Sequence, residues 1–243
     1  QRQMCIRDRY NPASISSVII MVVFDLDDTL YKETDYVASG IRAIAKEVDN
    51  KELISKQDAL DIINGAPDTA TGFDLLEARI LLADAKSGFN VDKIVALYRT
   101  HTPDIRLPED TLRALNYLQT AQIKIGIITD GRSLAQRAKI KALGLDRFVD
   151  DSNIIISGET GADKHTPVPF QKIANANPDE TKFIYVGDNP EKDFYWPNKL
   201  GWETVMLRDI NGVNIHKQHP DDFSEDHRAK FEISSLNELK NFV

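Results

Sequence analysis

Hydrophobic positions along the chain fall into two alternating rhythms. Short continuous runs rich in β-branched residues stand at 18–24, 123–128, 154–156, 183–186 and 204–207. Runs of this length, bounded by polar turns, read as buried strands. Between them the apolar residues recur every three or four positions: Leu112, Leu115 and Leu118; then Leu134, Ala138, Ile140 and Leu143; then Phe170, Ile173 and Ala174. That spacing places them on one helical face. Strand-like runs alternating with helical ones predict an α/β fold, a Rossmann-like and mostly parallel sheet with helices on both faces.

The interval from 31 to 104 breaks the rhythm. It holds no strand-like run, and helical patterns cover 36–48, 53–63, 73–83 and 91–98. Asn64-Gly65-Ala66-Pro67 and Ser87-Gly88-Phe89-Asn90 separate them as loops. The reading is an all-helical cap domain over 31–104, inserted into an α/β core made of 18–30 and 105–243. The alternative is that these helices belong to the core itself. Residues 1–17 show no period and are set aside as a disordered or artefactual tail, with Met21 a candidate start. Near the other end, 231–233 reads as a short strand and 234–239 as a Ser-capped final helix. The polar stretch 211–228 carries His216, His219 and His227 at no standard metal-binding spacing, and reads as a solvated loop.

Composition narrows the class only where it departs from the ordinary. A content of 42% hydrophobic and 28% charged residues is that of a globular protein. The net charge of -8 argues against a nucleic-acid or anionic-membrane partner. It leaves room for a small anionic molecule, since a metal ion and a few cations can set the local field. The single cysteine, Cys5, has no partner for an internal disulfide, which points to a reducing, cytoplasmic setting. No apolar stretch reaches the ~20 residues needed to span a bilayer. Nothing in the pattern fixes an oligomeric state.

The chemistry-bearing residues gather at the ends of the predicted strands. The first strand runs into Asp25-Leu26-Asp27-Asp28-Thr29-Leu30. Carboxylates at i and i+2 on extended backbone face the same side, and ligands of open α/β sheets sit beyond the carboxyl ends of the strands. Such a pair can divide into a nucleophile or metal ligand and a general acid-base; the bland reading is a polar exit from a strand. Thr129, Asp130 and Gly131 end another strand, where a hydroxyl and free N–H groups can hold a phosphoryl oxygen, or simply cap the next helix. Lys164 precedes a helix and can neutralise an anion, although a loop lysine is usually solvated. Gly187-Asp188-Asn189-Pro190-Glu191-Lys192-Asp193 follows a further strand and adds two carboxylates. Asp25 and Asp188, from neighbouring strand ends, suit a hard cation such as Mg2+. Pro197 suits the first position of the helix after it.

Taken in order, Asp25-x-Asp27-x-Thr29, Thr129, Lys164 and Gly187-Asp188-x-x-x-x-Asp193 resemble the haloacid dehalogenase superfamily, with 31–104 similar to its C1-type helical cap. The resemblance implies a phosphoric monoester hydrolase acting on a small phosphomonoester, a sugar phosphate or nucleoside monophosphate. Asp25 would form an aspartyl-phosphate. Asp27 would serve as acid and then base, its negative neighbour favouring the protonated form. Thr129, Asp130, Gly131 and Lys164 would hold the phosphoryl group. Mg2+ would be bound by Asp25, Asp188 and the Asp27 carbonyl, with Asp193 ordering the site. Asp27 points to phosphoryl chemistry, because the dehalogenases of the superfamily lack this acid. A phosphomutase shares every one of these residues, and an inactive binding or regulatory protein on the same fold is the alternative of another class. One departure stands out: relatives often carry Pro directly after the lysine, where this chain has His165. Tyr31, Lys32, Tyr36 and a loop at 69–74 are the candidate substrate contacts from the cap.

Overall fold

The computed structural model describes residues 18–218 and 222–243; the N-terminal tail 1–17 and the segment 219–221, with His219, lie outside the described residues. Its six strands are β1 (Ile20–Phe24), β2 (Lys124–Thr129), β3 (Ile154–Ile156), β4 (Lys182–Gly187), β5 (Glu203–Leu207) and β6 (Phe231–Ile233). They form one sheet in the order β3-β2-β1-β4-β5-β6, with every pair parallel. The predicted α/β architecture is therefore the observed one. β1 begins two residues later than its apolar run, where the Lys182 N–H bonds the Ile19 carbonyl and the pairing with β4 starts.

Between β1 and the rest of the sheet come α1 (Glu33–Asn50), α2 (Lys56–Asn64), α3 (Thr69–Ala83) and α4 (Val91–Thr100). They close on a core of their own, with Ile44, Val48, Ala59, Leu76, Ile80 and Ile94 at its centre. Three of them start where a side chain accepts an otherwise orphaned backbone N–H. Ser55 caps α2, Asp68 caps α3 and Asn90 caps α4. The Asp68 cap corrects the sequence reading of 69–74 as a loop, since these residues form the first turns of α3.

The remaining helices are α5 (Glu109–Thr120), α6 (Ser133–Ala142), α7 (Ser157–Thr160), α8 (Val168–Ala176) and α9 (Tyr195–Lys199). β1 is buried on both faces, which explains its unbroken apolar run. Val22 and Phe24 pack with Leu115, Leu118 and Ile140 of α5 and α6, while Met21 and Val23 pack with Phe170 and Ile173 of α8. Pro197 is the third residue of α9, not its first. It is tolerated there because N–H groups of a first turn have no intrahelical acceptor. The C-terminal helix is a 3-10 run, Leu236–Asn241, begun by a reciprocal capping box between Ser235 and Glu238.

Candidate active site

The chain builds outward from β1 through β2 to β3, then returns to the other side of β1 as β4. That reversal opens a crevice at the carboxyl ends of the strands. A cavity of about 170 Å3 lies there. Asp25, Asp27, Thr129, Asp130 and Asp188 all line it, joined by Asp28, Glu33, Asn189, Lys192 and His216. Of the other sequence-predicted residues, Lys164 and Asp193 stand directly behind the lining. Gly131 is not among the lining residues, and its N–H is already donated to Ser157 Oγ at 2.9 Å.

Asp25 continues β1, its N–H held by the Val186 carbonyl of β4. Its Oδ1 accepts from Lys164 Nζ, which also donates to Asp193 Oδ1 at 2.7 Å. Lys164 is completely buried. The solvated loop lysine is thus replaced by a buried ammonium compensated chiefly by two carboxylates, with the Tyr185 ring 6.0 Å from it. Burial by itself would lower its pKa, but Asp193 and Asp25 hold it well above the usual range. Burial pushes Asp25 up to about 7 against the pull of Lys164, and Asp193 adds to the rise. Asp188 is pushed up to about 9, by burial first and then by Asp25 and Asp193. Oxygens of Asp25, Asp188 and Asp193 lie within 4.8 Å of one another. Asp193 Oδ2 accepts the N–H groups of Asp188 and Asn189, at 3.2 and 2.9 Å, and so fixes the turn after β4. Gly187 leaves room for that carboxylate, because a Cβ there would overlap it. Gly187→Ala is therefore expected to displace Asp193 and to cost about 1–3 kcal/mol of stability, as overpacked substitutions do; urea denaturation measures it.

Asp27 is where the structure corrects the sequence reading. Its Oδ1 accepts from Lys139 Nζ at 2.7 Å and from the Tyr31 hydroxyl at 2.5 Å, and its Oδ2 from Gln136 Nε2 at 2.9 Å. Burial favours the neutral acid, but Lys139 and the hydrogen bonds from Gln136, Lys139 and Tyr31 outweigh it and hold Asp27 below the ordinary carboxylate range. The expected protonated form is not the resting one. Lys139 and Gln136 come from the inner face of α6, and the sequence reading assigned neither a role. The amphipathic pattern also set Leu134 inward, whereas Leu134 is 64% exposed and Gln136 is buried.

The polar stretch after β5 is likewise more than a solvated loop. Asn214 is buried; its Nδ2 donates to Asp188 Oδ2 at 2.8 Å and its Oδ1 accepts from Lys32 Nζ at 2.5 Å. Gln218 Nε2 donates to the Asp188 carbonyl at 2.7 Å. Asp28, in the left-handed region at φ +60°, accepts the N–H groups of Glu33 and Ile215. Asp tolerates that conformation better than most residues. The turn after β1, the start of α1 and this stretch are thus tied to one another. His216 lines the cavity, and His227 lies tilted against the Tyr195 ring, centroids 4.8 Å apart. Neither described histidine belongs to the carboxylate cluster.

Of the candidate contacts from 31–104, Tyr31 bonds Asp27, Lys32 bonds Asn214, and Tyr36 lies beneath Lys139 Nζ at 4.3 Å from its ring centre. None of 69–74 is among the residues lining the cavity. His165 is exposed and also absent from that lining. Its N–H donates to Asp163 Oδ1 and its carbonyl accepts from the Trp196 indole. No helix among the described residues is long and apolar enough to cross a membrane.

The sequence model of the haloacid dehalogenase-like hydrolases matches residues 22–207. A glyceraldehyde 3-phosphate phosphatase from Methanocaldococcus jannaschii is 30% identical over 232 residues, covering 91% of this chain and 96% of the relative. One of the same name from Methanopyrus kandleri is 28% identical, covering 93% and 97%. Among solved structures, a hydrolase of this family from Bacillus subtilis bound to magnesium superposes with a TM-score of 0.61 at 18% identity, covering 93% of this chain and 98% of that one. That likeness is one of fold.

Proposed function

The chain belongs to the haloacid dehalogenase-like hydrolase family, and we propose that it is a Mg2+-dependent phosphatase hydrolysing a small phosphomonoester, of the sugar phosphate or nucleoside monophosphate class, through an aspartyl-phosphate on Asp25. One observation carries this reading: Asp25, Asp27, Thr129 and Asp188 meet on one cavity, with Lys164 and Asp193 behind them. The names of the two archaeal relatives favour a sugar phosphate within that class. We read 31–104 as a cap that covers the site and selects the leaving group; Glu33 and Tyr31 bring its first residues to Asp27 and the cavity.

The roles follow from position and charge. Asp25 attacks phosphorus from the end of β1. Lys164 and the Thr129 hydroxyl steady the phosphoryl oxygens. Asp27 passes a proton to the leaving oxygen and later takes one from water. An arriving phosphate, as a negative neighbour, opposes the ionisation of Asp27, which then takes up a proton from solvent before the transfer. Phosphoryl transfer of this kind needs positioning and neutralisation above all.

The donor set fits a divalent cation. Among the described residues the three clustered carboxylates have one directly paired ammonium, Lys164, with Lys192 at the cavity lining, so the ionised cluster keeps a net negative charge in a buried place. Asp25, Asp188 and the Asp27 carbonyl would hold Mg2+, with Asp193 ordering them, and the ion would neutralise charge on the transferring group.

A panel of phosphorylated metabolites, assayed for released phosphate with Mg2+ and with EDTA, tests the reading. The expected result is hydrolysis of sugar phosphates that EDTA abolishes and Mg2+ restores. Isomer formation without phosphate release would instead indicate a mutase. Inactivity across the panel and on p-nitrophenyl phosphate would overturn the catalytic reading altogether.

A further inference from the structure

Gln136 and Lys139 stand one helical turn apart on α6, and both are almost completely buried. Polar side chains on the inner face of an amphipathic helix need partners that repay their desolvation. Theirs belong to the candidate reaction centre. Lys139 Nζ reaches Asp27 Oδ1 at 2.7 Å. Gln136 Nε2 reaches three oxygens: Thr129 Oγ1 at 2.6 Å, Asp27 Oδ2 at 2.9 Å and the Asp130 carbonyl at 2.9 Å. A carboxylate and a carbonyl only accept, so the amide must present its NH2 to them, its two hydrogens shared among the three oxygens. Gly131 eases the approach, since a Cβ there would press on the Gln136 side chain at 3.1 Å.

Two consequences follow at the level of atoms. Asp27 Oδ1 already accepts from both Lys139 and Tyr31, whereas among the described residues Oδ2 accepts from Gln136 alone. Oδ2 is the oxygen with a lone pair to spare. Thr129 Oγ1 accepts from Gln136, which leaves its own proton free to be donated. A single amide therefore sets both the hydroxyl that would meet the phosphoryl group and the carboxyl that would meet the leaving group.

Resting on the phosphatase reading above, we infer that Gln136 and Lys139 are positioning residues that aim Asp27 Oδ2 at the leaving-group oxygen. In the first step an Asp25 oxygen bonds to phosphorus. The bond from phosphorus to the leaving oxygen breaks, its electron pair stays on that oxygen, and the proton that Oδ2 takes up from solvent when the anionic substrate binds moves to it. Asp27 becomes the anion that Lys139 receives. In the second step a water oxygen attacks phosphorus and its proton goes to Oδ2, while the Asp25–phosphorus bond breaks and frees phosphate.

The test compares esters whose leaving groups differ in their need for that proton. p-Nitrophenolate leaves unprotonated, whereas an alkoxide does not. kcat/KM, which reports steps through the first transfer, is measured on p-nitrophenyl phosphate and on glycerol 3-phosphate, or on the best alkyl ester of the panel. Gln136→Met and Lys139→Met are expected to lose about 10- to 100-fold on the alkyl ester, part of the usual worth of general acid catalysis. Lys139→Met should lose less than about threefold on the aryl ester, and Lys139→Arg should recover most of the Lys139→Met loss. Gln136→Met should lose more there because it also frees Thr129, but still less than on the alkyl ester. A general loss of folded protein lowers both values together, so the ratio of the two is the readout. Gln136→Met leaves no unpaired charge and keeps the test open if Lys139→Met does not fold. An unchanged ratio in the variants that fold overturns the inference. Asp27→Asn is the control: should it leave the ratio unchanged, the acid role of Asp27 fails and this inference with it. Should it shift the ratio while the α6 variants do not, only the inference fails.

Discussion

Asp25→Asn is expected to lower phosphate release by about 10⁴-fold or more while leaving the fold intact. The size of the loss follows from what is removed. No other carboxylate takes the place of an absent nucleophile, and nucleophile knockouts in covalent enzymes cost on this order. The fold should survive because the amide has the shape of the acid. The Asp25 backbone N–H keeps its bond to Val186, and Lys164 keeps Asp193. Burial already opposes the charge on Asp25, so its neutral replacement is not expected to lower the melting temperature in metal-free buffer. Asparagine can revert to aspartate by deamidation, and Asp25→Ala checks any residual turnover. A purified Asp25→Ala protein retaining more than about a hundredth of the activity would show that water attacks phosphorus directly. It would leave the acid at position 27 in place and remove the covalent step.

What could be read from the chain beforehand divides along a physical line. Strands buried on both faces must be continuously apolar, so β1, β2 and β4 were visible as runs, and the acids at their ends were visible as breaks in those runs. Helix starts were less visible because they depend on a cap, not on period. Asp68 moved the start of α3 to Thr69 and turned an expected loop into helix. The site divides in the same way. Asp25, Asp27, Thr129 and Asp188 belong to strand ends that a parallel sheet brings to one edge. Gln136, Lys139 and Asn214 reach the site from a helix face and a long connection, and their partners lie over 20 residues away in most cases. A faint signal existed. The face of α6 that carries Ile140 also carries Gln136 and Lys139, and buried polar groups on such a face require partners. The protonation state of Asp27 was out of reach for the same reason, because it is set by Lys139, which is distant in sequence and adjacent in space.

Lys164→Met is expected to be the most destabilising substitution in the site, and its cost should depend on pH and on Mg2+ in a stated direction. Methionine fills the space of the aliphatic stem and removes the ammonium. Asp25, Asp188 and Asp193 are then left within 4.8 Å of one another in a buried place without the ammonium that pairs two of them, and Lys192 at the cavity lining acts on Asp25 only from a distance. Breaking a buried ion pair on one side costs about 3–5 kcal/mol. The carboxylates can relieve part of this by taking up protons, as the raised pKa values of Asp25, about 7, and Asp188, about 9, already indicate with the lysine present. Both folded values lie above the unfolded value near 4. The folded state thus binds protons that the unfolded state has lost. Stability from these groups is complete below about pH 4 and is lost as pH rises through 7 and then 9, with a slope near 1.4 kcal/mol per pH unit for each group titrating. In EDTA, urea denaturation between about pH 5 and 9 should therefore show stability falling with pH, more steeply for Lys164→Met than for the unsubstituted chain. Saturating Mg2+ should flatten both curves, because a ligand that binds only the folded, ionised cluster restores what the missing charge took away. A curve that stays flat in EDTA, or a Lys164→Met protein as stable as its parent near pH 8, would mean that the three carboxylates are not held against their own repulsion. In that event the case for a divalent cation between β1 and β4 loses its electrostatic basis.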